Sequence, residues 1–112
     1  MCNQLEVLRK NEKGYLMRCK GCKRFQLGFG TTALALDHQH LMGLWKEIEG
    51  QLREWKDRIP HGQKSFYFDT DSSQVKLVLC YAEMSWLYEL ISQAMLILEV
   101  KELVDTTSAD EC

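Results

Sequence analysis

Cys2, Cys19 and Cys22 are the residues whose type and spacing point most directly to chemistry, and Lys20-Gly21 separates the last two. A C-x-x-C turn holds two thiolates about 3.7 Å apart, the sulfur–sulfur spacing around tetrahedral zinc, and turns backbone N–H groups toward the sulfurs. Gly21 is expected to permit the tight turn, while Lys20, Lys23 and Arg24 offset the thiolate charge. Leu5 to Arg9 and Tyr15 to Cys19 read as strands flanking the charged, glycine-closed stretch Lys10–Gly14. Pairing Arg9 with Tyr15 sets Leu5 opposite Cys19, and the same register carried further brings Cys2 opposite Cys22. These residues predict a structural zinc site of Cys2, Cys19 and Cys22, with His40 as fourth ligand and His38 as its alternative. Removal of Met1 would add a competing donor, the α-amino nitrogen of Cys2, whose ordinary pKa of about 7.7–8.0 leaves it available near neutrality.

Two other chemistries compete for the same residues. A thiol oxidoreductase would use Cys19 and Cys22, but reactive C-x-x-C pairs draw a low pKa from a helix N-terminus, and here an alternating strand follows. Nucleic-acid binding would use Lys20, Lys23 and Arg24 on phosphates, with Arg18 beside them and Tyr15 or Phe25 stacking on bases. The charge distribution invites that reading: residues 1–30 hold seven Lys/Arg and two Asp/Glu, whereas the remainder holds seven and fourteen. Asp69-Thr70-Asp71-Ser72 reads as a hairpin turn rather than a phosphatase motif, Cys80 as a core thiol and Cys112 as part of the tail. No stretch supplies a catalytic set.

The chain of 112 residues is one domain's worth, with 46% hydrophobic and 27% charged residues and a formal net charge of -2. The odd count of five cysteines argues against a disulfide framework. The start lacks an apolar signal-peptide core and no window approaches the roughly eighteen apolar residues of a membrane span, so a cytoplasmic protein without membrane contact is expected.

The elements that must position the cysteines follow from periodicity. Residues 1–36 form the β part, in which Phe25, Leu27 and Phe29 alternate with Gln26 and Gly28 and a further strand runs from Thr31 to Leu36. Asp37 caps a helix spanning 37–58, whose stripe is Leu41, Leu44, Trp45, Ile48, Leu52 and Trp55. A second hairpin occupies 64–81, a second helix 83–104 and a flexible acidic tail 105–112. The expected fold is a single α+β domain over 1–104, in the order ββββαββα. The last helix turns Met84, Leu87, Ile91, Ala94 and Leu98 to the core. Together with a neighbouring arc of Trp86, Leu90, Ile97 and Val104 this is wider than one surface stripe, which predicts either a partner interface, in a homodimer or with another protein, or cover by the first helix through Trp45 and Trp55.

Early Cys2, the hairpin Gly14-Tyr15-Leu16-Met17-Arg18-Cys19-Lys20-Gly21-Cys22, the run Phe25-Gln26-Leu27-Gly28-Phe29-Gly30 and a closing helix resemble a family of short, uncharacterised bacterial proteins classed as a domain of unknown function. The resemblance covers most of the chain. It implies a small cytosolic protein with a zinc-ribbon-like amino-terminal half and brings no established activity. In that family a histidine commonly follows the first cysteine closely, where this chain has Asn3 and Gln4. The function expected from all of this is a zinc-binding, non-catalytic module for protein binding or regulation.

Overall fold

The structure, a computed structural model, describes residues 5–56, 64–70 and 76–111. Its order is β1 (Leu5–Asn11), β2 (Gly14–Cys19), β3 (Phe25–Phe29), β4 (Thr32–Leu36), α1 (His38–Trp55), β5 (Lys64–Asp69), β6 (Lys76–Cys80) and α2 (Tyr81–Glu111). This is the expected α+β arrangement: an antiparallel sheet β1-β2-β3-β4, a separate hairpin β5-β6 and two helices. In the larger sheet β1 and β4 are the edges.

Alternation decides which side of that sheet is covered. Leu16, Phe25, Leu27, Phe29 and Leu36 are buried and join Leu41, Leu44 and Ile48 of α1 and Met84, Leu87, Ile91 and Ala94 of α2 in one core, together with Phe66, Phe68, Leu77 and Leu79 of the hairpin. The opposite side of the sheet carries Leu5, Val7, Tyr15, Met17 and Gln26, with Leu5 and Val7 about half exposed.

Leu5 does pair with Cys19, but Arg9 pairs with Leu16 instead of Tyr15, because a bulge between Val7 and Arg9 gives β1 one extra residue. The extra residue takes up part of the anticipated loop. Lys10 and Asn11 continue the strand, and the turn shrinks to Glu12-Lys13, closed by Asn11 Oδ1 accepting from the N–H groups of Lys13 (2.8 Å) and Gly14 (3.1 Å). Beyond it the strands crowd together: a Cβ on Gly14 would stand 2.2 Å from the Gly28 carbonyl oxygen, and one on Gly28 would stand 2.1 Å from the Tyr15 ring. Tyr15 lies across the space Gly28 leaves, and its hydroxyl accepts from Gln26 Nε2 at 3.0 Å.

Asp37 caps α1 as expected, its carboxylate accepting the His40 backbone N–H at 2.7 Å. The second helix starts earlier than the sequence suggests. Cys80 Sγ accepts the Glu83 N–H at 3.4 Å while the Glu83 carboxylate accepts the Cys80 N–H at 3.0 Å, a reciprocal cap with sulfur in the usual hydroxyl's place. Cys80 is buried, as expected of a core thiol. The helical backbone then runs to Glu111, past Val104 where the sequence reading ended it; no glycine or proline in 105–110 interrupts it.

α1 and α2 are tied side by side. Trp45 Nε1 donates to Ser92 Oγ at 2.9 Å, Tyr88 Oη to Glu49 Oε2 at 2.8 Å, and Tyr81 Oη to the Leu52 carbonyl at 3.2 Å. The arc predicted as an interface splits. Leu90 is fully buried and Ile97 half-buried against the core, because β1 and β2 cover more of α2 than one stripe; Trp86 stays 40% exposed. Leu90 is therefore a core residue and not a partner contact.

Candidate functional site

The segment between β2 and β3 is the knuckle. Cys19 N donates to the Arg24 carbonyl at 2.8 Å and Lys23 N to the Cys19 carbonyl at 2.9 Å, so Cys19 to Arg24 closes on itself as a tight loop. The residue that takes the left-handed backbone is Lys23, with φ 64°, and not Gly21, the residue expected to ease this turn. Inside the loop the Cys22 N–H donates to Cys19 Sγ at 3.3 Å. In the reduced form such a bond would stabilise negative charge on the Cys19 sulfur.

The two sulfurs differ in state. Cys22 is an exposed free thiol, whereas Cys19 is buried and disulfide-bonded. The odd cysteine count argues against a disulfide framework, yet Cys19 is disulfide-bonded. Since Cys22 is not its partner, Cys19 and Cys22 do not form a closed dithiol pair. Cys2 lies outside the described residues. A small cavity of about 140 Å³ opens beside the knuckle, lined by Leu5, Cys19, Cys22, Arg24, Phe25, Gln26 and Ala35.

Pairing of Phe25 with Leu36 brings the start of α1 to this same end of the sheet. His38 lies against Phe25, ring centroids 6.2 Å apart. His40 turns to Asp37 instead: its Nδ1 stands 2.7 Å from Asp37 Oδ1, and a carboxylate acceptor there favours the proton on Nδ1. The His40 backbone N–H first, and then its ring, hold the Asp37 carboxyl below its ordinary range. Among the described residues no three of His, Cys, Asp and Glu stand close enough to hold a metal ion, so neither histidine forms a ligand group with Cys19 and Cys22 there.

The geometry of the amino-terminal half being clear, its relatives can be placed. The chain matches a family described as a family of unknown function (DUF6686) over residues 1–110. It belongs to that family. No curated protein and no solved structure matches the chain. What this DUF6686 member does must accordingly be read from its own residues.

Its basic residues have varied fates. Lys20, Lys23 and Arg24 are all exposed at the knuckle. Arg18, counted with them on the sequence, is buried and bonded to Glu6 (3.1 Å), with Glu102 3.5 Å away. Glu6 also receives Lys101 at 3.0 Å and Lys20 at 3.6 Å, which ties the knuckle, β1 and α2 together through one carboxylate. Burial alone would push the Glu6 carboxyl up; the Lys101 hydrogen bond and charge, with Lys20 and Arg18, hold it below its ordinary range. The signal for this was present. Leu16 and Arg18 share a strand face, so a core Leu16 turns Arg18 inward too. The proposed stacking residues are also occupied: Phe25 is 3% exposed and Tyr15 packs over Gly28.

No described helix is long and apolar enough to cross a membrane.

Proposed function

We propose that this protein is a non-catalytic module whose reduced knuckle holds a structural zinc ion and whose helices receive a protein partner. The observation that carries the metal reading is the Cys22 N–H donated to Cys19 Sγ inside a loop closed at both ends by backbone bonds. Such a turn presents two thiolates at the spacing zinc requires, and thiolate donors favour zinc over harder cations. Cys19 and Cys22, both reduced, would hold the ion with Cys2 as third donor. His40 is the favoured fourth donor because an imidazole whose Nδ1–H is held by a carboxylate presents Nε2 in the manner of metal-bound histidines; His38 is its alternative. The non-catalytic reading rests on the polar groups in use as scaffolding: Asp37 and Glu83 cap helices, and Glu6 anchors three cations.

Protein purified under reducing conditions without added metal is expected to carry one zinc per chain by elemental analysis. Cys19→Ser should lose the metal and melt at a lower temperature, because binding energy at such a site is also folding energy. Separate His38→Ala and His40→Ala variants show whether either histidine completes the shell. A reduced wild type that is metal-free and melts identically with and without chelator overturns the reading.

A further inference from the structure

α2 is apolar on two opposite sides. Leu87, Ile91, Ala94 and Leu98 face the core, while Leu96, Val100, Leu103 and Val104, at i, i+4, i+7 and i+8, lie across the helix and are 63%, 53%, 65% and 58% exposed. A helix apolar all round is ordinarily enclosed, and this one is enclosed on one side only. The outer stripe continues into a groove of about 370 Å³ between α2 and the first turns of α1. Met42 and Trp45 from α1 and Met95 and Leu96 from α2 line it, together with Glu99 and Glu102, the latter 3.5 Å from Arg18. Thioether side chains adapt to varied apolar partners, which suits a groove that accepts a helix face.

Charge selects the occupant. Residues 81–111 contain seven Asp/Glu against one lysine, Lys101, so α2 carries a formal charge of -6. A second copy of α2 laid along the stripe would bring -6 against -6. We propose that the groove and the outer stripe of α2 receive a basic amphipathic helix from a partner protein, its apolar side on Met95, Leu96 and Val100 and its lysines or arginines over Glu99 and Glu102. This deepens the reading of the protein as a binding module and does not depend on the metal, so docking should persist in a chelator that strips the knuckle.

The test uses the full chain and a synthetic eighteen-residue amphipathic helix built from leucine and lysine, with a leucine/glutamate helix of the same pattern as control. Calorimetric titration should show binding of the basic peptide at least about tenfold tighter than the acidic one, and Leu96→Glu and Glu99→Lys should each weaken it about tenfold or more. Both positions are exposed, so circular dichroism of the variants should match wild type. Equal binding of the two peptides, no binding, or binding that both variants leave intact overturns the proposal. So does a wild type that sediments as a dimer which Leu96→Glu converts to monomer, since the stripe would then be covered by a second copy.

Discussion

The two ends of the four-stranded sheet are closed by different chemistries. At one end the Glu12-Lys13 turn is held by the Asn11 amide, by Gly14 against Gly28 and by Tyr15 across Gly28: neutral, close-packed contacts that titrate little and have no redox state. At the other end the knuckle is held by sulfur and by the ion pairs around Glu6. One sheet thus has an end held by packing and an end held by groups that oxidant and acid can alter. Steric fit sets the first and charge the second, and the two fail differently when disturbed.

The sharpest break of this contrast is Gly14→Ala. The new Cβ would meet a backbone oxygen, which cannot rotate away, so the strands must separate and the cost should be about 3 kcal/mol. Urea denaturation should show it as a lower midpoint with the same loss at pH 4 and pH 7. A loss that varies strongly with pH would mean the turn end is not the neutral clasp described.

Glu6→Gln is the matching disturbance at the knuckle end, expected to cost about 2 kcal/mol at neutral pH because Arg18 is left buried with Glu102 as its remaining carboxylate among the described residues. Here pH matters. The folded Glu6 pKa is depressed, so its contribution is fully present above the unfolded carboxylate pKa of about 4.3 and is lost as pH falls through the lower folded value. The stabilities of wild type and variant should converge on acidification below pH 4, and parallel curves would assign the cost to packing instead.

The smallest effect is expected at Lys13, whose Nζ stands 3.9 Å from the Trp86 ring centroid. Lys13→Ala should cost about 0.5 kcal/mol, the range of an exposed cation–π contact, and blunt the response of Trp86 fluorescence to salt. An unchanged salt response would detach the turn from α2.

What the sequence made legible, and what it hid, follows the same division. Period-two alternation located β2 and β3 and put Leu5 opposite Cys19, since apolar side chains have only one covered side to go to. It passed over the bulge, because Leu8 and Arg9 look regular until both must stand opposite Leu16. α1 was plain from a single apolar stripe behind an aspartate cap. α2 was harder: with apolar residues on opposite sides, periodicity alone does not tell that Leu90 is core and Leu96 is not. Its start was obscured because a cysteine, rarely read as a cap, takes that role. At the knuckle the cysteine spacing implies a turn with sulfur-directed N–H groups, and one such bond is present; the spacing does not tell that Cys19 is disulfide-bonded.

The edges of the larger sheet carry a consequence for how the molecule behaves in a crowd. β1 is a poor template for a neighbour's strand, since its bulge breaks the hydrogen-bond spacing and Arg9 and Lys10 stand along it. β4 has no such defence: Thr32-Ala33-Leu34-Ala35-Leu36 is unbroken and uncharged, with one long side unpaired among the described strands. Polymerisation, when the protein is concentrated or partly unfolded, should therefore grow from β4 in one direction, and a lysine at Ala33 or Ala35 should arrest it.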